Sequence, residues 1–271
     1  MKRKLGIITS CLPGKSEYDA LDYIADAGFE MVFCDEFNQK EILRLKEKCD
    51  RLGIALEFLH APYAGVNQFW NPGDAYLKLR DGIYSSIEGA SEAGIPVVVS
   101  HVSSGWFPPL IYDFGLARFD ELVEYATAKK VKIAFENLRR DDYLDVIMKR
   151  YEKEPYVGFC YDCGHQHCYS YGEPVDYLAL YGDRLLCTHI HDNFGRDQTD
   201  IWRDADEHIM PFDGNLDYTA MMKRLHKTGY TGALTLELCN QERYCEKTPA
   251  EFLAIAHERI AKIAALESQL S

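Results

Sequence analysis

Long hydrophobic runs are missing from this 271-residue sequence. No stretch approaches the roughly 20 consecutive apolar residues that span a bilayer, so a membrane span is not expected. Basic residues are in short supply: 30 Lys and Arg stand against 43 Asp and Glu, a formal net charge of -13. That deficit disfavours nucleic acid and anionic membrane surfaces as partners, because both select for a basic face. No Gly-rich phosphate loop or dinucleotide fingerprint occurs, so no nucleotide cofactor is expected. The nine cysteines are odd in number and scattered, several inside apolar runs. That usage fits a reducing cytoplasm better than a disulfide framework. Cys160, Cys163 and Cys168 approach a zinc-knuckle spacing, but the second Cys-x-x-Cys pair is lacking. The opening Met1-Lys2-Arg3-Lys4, with its short apolar run ending before Pro13-Gly14, reads as a first buried strand rather than a signal peptide.

What is present is a regular alternation. Strand-type runs fall at 5–9, 30–34, 54–59, 96–100, 131–136, 157–161, 185–190 and 233–238. Helical patterns fall at 17–27, 39–52, 74–93, 117–129, 141–153, 174–181, 217–228 and 249–267. Gly28, Gly53, Gly94 and Gly229 stand where helix C-caps belong, just before the next strand. Eight strand–helix units without a long linker predict an α/β protein, a (β/α)8 TIM barrel forming a single domain over 1–271. Two connections, 101–116 and 191–216, are too long for plain turns. Both follow strands, and so both belong to the face where barrels keep their chemistry.

Polar residues recur at the strand ends. His60 follows the third strand, His101 the fourth, and Glu136 closes the fifth. Asp162 and His165 follow the sixth, His189 and His191 the seventh, and Glu237 lies in the eighth, while the long loop adds Asp206 and His208. In a closed barrel these side chains ring one cavity. Converging carboxylates repel one another unless a cation offsets the charge, and this mixed oxygen–nitrogen set suits a divalent metal such as Mn, Co, Zn or Fe. Each residue also has a plainer role available, a hydrogen-bonded loop histidine or a glutamate paired with Arg or Lys. His189 reads as an orienting or packing residue. Asn67, Trp70 and Trp106 in the loops after the third and fourth strands are candidates to hold a sugar ring and its hydroxyls. Arg196 is the candidate for a substrate phosphate or carboxylate, which Arg can grip bidentately.

The segments Phe135-Glu136-Asn137, Asp162-Cys163-Gly164-His165, His189-Ile190-His191-Asp192, Asp206-Glu207-His208, Pro211-Phe212-Asp213-Gly214 and Leu236-Glu237 extend over the whole chain. In that order the sequence resembles the xylose-isomerase-like TIM-barrel superfamily, which includes sugar phosphate isomerases and epimerases. The resemblance implies a metal-dependent isomerase or epimerase acting on a small sugar, keto-sugar or cyclitol, and the cysteine usage places it in the cytoplasm. It makes Glu136, Asp162, His191 and Glu237 the ligands of one catalytic metal such as manganese or zinc. Glu136 and Glu237 would also be the catalytic proton shuttles on either face of a metal-bound enediolate. His60, His101, His165 and His208 would meet substrate hydroxyls. It also implies alternatives. One is a lyase or dehydratase of the same barrel. The other is an endonuclease IV-type abasic-site phosphodiesterase with three metals, in which His60, His101, His165, Asp206 and His208 become further ligands. The acidic loop over the site favours the sugar over DNA. Barrels of this kind often form homo-oligomers.

Overall fold

Each of the eight apolar runs becomes a strand. The computed structural model describes residues 3–170, 174–239 and 242–269. The strands are β1 (Leu5–Ile8), β2 (Met31–Cys34), β3 (Ala55–His60), β4 (Val97–Ser100), β5 (Lys132–Glu136), β6 (Val157–Asp162), β7 (Leu185–His189) and β8 (Leu234–Leu236). All neighbours pair in parallel, in the order β7-β6-β5-β4-β3-β2-β1-β8. Strands β1, β2, β4 and β6 are buried at every position. Near-continuous Val, Ile and Phe runs suit that double burial, with helices outside and packed side chains within.

The two ends of this order meet to close the barrel. Between β7 and β8 the ladder is reduced to one bridge, Ile190 to Leu236. Ile190 N–H donates to Thr235 O (2.8 Å) and Glu237 N–H to Ile190 O (3.1 Å). Further down, the Thr188 hydroxyl donates to Ala233 O and accepts from Thr235 N–H, both at 3.3 Å, so a side chain replaces missing backbone pairing.

Helices α1 (Glu17–Asp26), α2 (Gln39–Leu52), α3 (Leu77–Ala93), α4 (Asp113–Lys129), α5 (Asp141–Arg150), α6 (Cys163–Tyr169), α7 (Tyr177–Tyr181), α8 (Tyr218–Lys227) and α9 (Pro249–Leu266) fill the connections. Asn38 caps α2, and Gly53 ends it in the left-handed conformation at φ 73°. Thr248 and Glu251 form a capping box at α9, with Pro249 in the first turn. One helix was not expected. Helix α6 carries the Asp162-Cys163-Gly164-His165 motif, and its sequence has neither an apolar stripe nor strong helix formers. Asp162 nucleates it by accepting the His165 N–H at 2.6 Å. Among the described residues no helix is long and apolar enough to cross a membrane.

Candidate metal centre

Glu136 ends β5 and points into the mouth of the barrel, where it is 1% exposed. An isolated buried carboxylate would cost several kcal/mol. Here four imidazoles offset it. His60 Nε2 and His101 Nε2 lie 3.3 and 3.1 Å from Oε2, and His165 Nδ1 and His189 Nδ1 lie 3.1 and 3.2 Å from Oε1. Burial alone would raise the Glu136 carboxyl, but His189, His101 and His165 hold it well below the usual carboxylate range.

His189 is the second hub. Its Nδ1 faces three carboxylates at once: Glu136 Oε1 at 3.2 Å, Glu237 Oε2 at 3.5 Å and Asp162 Oδ2 at 3.8 Å. Ligand atoms about 2.1 Å from a shared ion sit roughly 3–3.6 Å from one another, so the set has the span of a coordination shell. Burial would lower the His189 imidazole; Glu237 and Glu136 outweigh it and push it up to about 10. The same field would hold a cation. The ring is oriented by stacking on Phe33 and Phe58, with centroids 4.9 and 5.7 Å away, and its Nε2 is buried without a hydrogen-bond partner.

Among the described residues three groups of side chains could hold a metal ion, and Glu136 belongs to two of them. They are Glu136 with Asp162, His189 and Glu237; His60 with His101 and Glu136; and His165 with His191, Asp206 and His208. In the last group His165 Nε2 and His208 Nε2 lie 3.2 and 3.1 Å from the Asp206 carboxylate. His191 stacks on His208 at 3.7 Å between centroids, and its Nε2 also meets Asp162 at 3.1 Å. The structure therefore sets His189, where His191 was expected, beside Glu136, Asp162 and Glu237. Asp192, fully buried, anchors the loop that delivers His208, accepting from Phe212 N–H at 2.8 Å and Leu216 N–H at 3.1 Å. Asn137 clamps β6 with paired bonds to the Asp162 backbone at 2.8 and 2.9 Å.

Above the groups lies a cavity of about 370 Å³. His60, His101, Glu136, His165, Asp206, His208 and Glu237 line it, as does Tyr63, stacked on His101 at 4.4 Å. Other sequence candidates are engaged elsewhere. Trp70 is fully buried and donates Nε1–H to Val102 O at 2.7 Å. Asn67 ties the two loops together through Ser104 at 2.8 and 2.9 Å. Arg196 donates to Ile201 O and Tyr169 O and lies 4.0 Å over Trp106, bracing the long loop. None of these four side chains lines the cavity. In their place stand Arg139, paired with Asp204 at 2.8 Å, and Tyr169, whose hydroxyl donates to Asp206 at 2.7 Å. Arg139 lies three residues past Glu136, and that position just beyond a strand end was its only sequence signal.

The family model described as xylose isomerase-like TIM barrel matches residues 21–261. The chain belongs to the xylose isomerase-like TIM barrel family. Among the curated relatives, the uncharacterized protein y4fM of Sinorhizobium fredii is 32% identical over an alignment of 200 positions that covers 65% of this chain and 61% of that protein. The match thus spans less than two thirds of that relative's length. Among solved structures, the IOLI protein with a bound zinc atom is 17% identical with a TM-score of 0.75, covering 97% of this chain and 98% of that one. D-psicose 3-epimerase from Clostridium cellulolyticum H10, solved with D-tagatose, is 14% identical with a TM-score of 0.73, covering 96% and 99%. At these identities the likeness of the xylose isomerase-like barrel to them is one of fold.

Close packing around His191 gives a first expected result. A methyl group at Gly164 would stand 2.0 Å from His191 Cε1 and 2.4 Å from its Nδ1. Gly164→Ala should therefore displace the ring, lowering stability by about 1–3 kcal/mol and weakening metal binding. Urea denaturation and metal analysis check this, and unchanged values in both would refute the packing argument.

Proposed function

We propose that the protein is a divalent-metal-dependent isomerase or epimerase that moves a proton on a small sugar, keto-sugar or cyclitol. The observation that carries this is the single nitrogen of His189 facing the Glu136, Asp162 and Glu237 carboxylates at 3.2–3.8 Å, with Glu136 and Glu237 lining the cavity. When bound there, a divalent ion would polarise a substrate carbonyl and acidify the neighbouring C–H. Everything else falls to the chain. Glu237, 8% exposed and lining the cavity, is placed to take a proton from a substrate carbon. Glu136 would serve the opposite face as its partner. His60, His101 and Tyr63 offer a polar and aromatic wall for hydroxyls and C–H faces. The solved epimerase with D-tagatose supports the substrate class by shared fold.

The three groups favour a second reading, an endonuclease IV-like phosphodiesterase with three ions. The cavity argues against it, since Arg139 is the only Lys or Arg in its described lining and is already paired with Asp204. A DNA backbone requires a basic grip. Two measurements separate them. Protein purified without chelator should hold one tightly bound divalent ion per chain. It should also exchange solvent deuterium into a ketose, inosose or sugar phosphate supplied with Mn or Co. Three bound ions together with cleavage of abasic DNA would overturn the proposal.

A further inference from the structure

Helix α6, helix α8 and the long loop after β7 enclose a second cavity of about 490 Å³, which shares no lining residue with the one over the metal centre. Its polar side chains are mostly engaged in scaffolding. His167 Nε2 lies 2.6 Å from Asn215 Oδ1, Gln166 donates to Val175 O, and Arg196 holds the loop carbonyls already described. Among the described lining residues the one carboxylate, Asp217, caps α8 by accepting from Ala220 N–H at 2.9 Å. Arg224 differs. Its buried Nε has no hydrogen-bond partner, and among the described residues no carboxylate pairs with its guanidinium. A buried donor without an acceptor has given up its hydration and gained no bond in return. Among the described residues Arg118 and Arg184 likewise have no carboxylate partner, but their guanidinium groups donate to backbone carbonyls, whereas the Arg224 Nε donates to nothing.

We propose that this cavity binds a small phosphate-type dianion through Arg224. The planar guanidinium fork matches two oxygens of such a group, which an ammonium cannot do. Phe194 in the lining offers an apolar edge to whatever carries the phosphate. The ligand would rest against the helix that carries His165, outside the reaction cavity. The site is independent of which reaction the barrel performs.

Calorimetric titration of the metal-loaded full-length protein with inorganic phosphate tests it. Saturable binding is expected, weakened about tenfold or more by Arg224→Met and less by Arg224→Lys. Arg139→Met, which removes the one Lys or Arg side chain in the described lining of the reaction cavity, should leave it unchanged, and this separates the two cavities as sites of anion capture. Titration with glucose 6-phosphate identifies the source: tighter binding than inorganic phosphate points to a phosphorylated metabolite, equal or weaker binding to the free ion. No saturable binding, full binding in Arg224→Met, or loss only in Arg139→Met overturns the proposal.

Discussion

Glu237→Gln is expected to lower turnover by about 10²–10⁴-fold while leaving the fold intact, the range associated with loss of a positioned acid–base group. The two glutamates differ in how cleanly they can be tested. Glu136 is enclosed by four imidazoles, so its amide variant would strand buried positive charge and cost about 3–5 kcal/mol of stability. Glu237 faces the cavity, and its nearest imidazole nitrogens, His189 Nδ1 and His208 Nδ1, are both 3.5 Å away. Glutamine keeps its shape and one oxygen, so a metal ion can be retained. The informative measurement is therefore solvent-deuterium exchange in a metal-replete variant, with metal content determined on the same sample. Exchange that persists in metal-replete Glu237→Gln would show that the proton moves through another group.

Metal affinity should rise steeply with pH, by about tenfold per unit for each proton displaced. In the metal-free protein the Glu237 and Glu136 carboxylates hold His189 protonated up to about pH 10, against an ordinary imidazole value of 6.5. A folded-state value raised in this way stabilises the metal-free protein fully below about pH 6.5 and ceases to do so as pH rises through 10. Cation and proton compete for the same Nδ1, so binding at neutral pH must expel the proton. Titrations in two buffers of different ionisation enthalpy count the protons released. Removing the ion should also lower thermal stability, by about 4 kcal/mol where free metal exceeds its dissociation constant 1,000-fold. An affinity flat between pH 6 and 9 would exclude His189 as a ligand.

The barrel was legible because its signal is redundant. Eight apolar runs, each followed by a polar residue, point to the same architecture even where individual ends are misplaced, as at β8, which is three residues long where six were expected. The ring of candidate ligands follows from that topology, since strand ends converge whatever the loops do. Choosing between His189 and His191 was beyond the pattern. Residues two apart in a strand share a face, so periodicity alone offers both. The chain leaves the regular strand at His189, and the Phe33 and Phe58 rings retain that imidazole over the barrel interior while His191 turns to Asp162 and His208. Trp70, Asn67 and Arg196 eluded sequence reading for a different reason. Their places are set by how two long loops pack on each other, and that packing leaves no periodic trace.

The closure of the barrel has a consequence for how it comes apart. His189 and Glu237 stand on opposite sides of the joint where β7 meets β8, the joint held by a single bridge and a threonine hydroxyl. An ion gripped by both would act as a removable rivet there. Its loss would let the cylinder gape along one line while the other seven joints stay sewn, and the amides of Ile190, Thr235 and Glu237 would be the first to exchange with solvent.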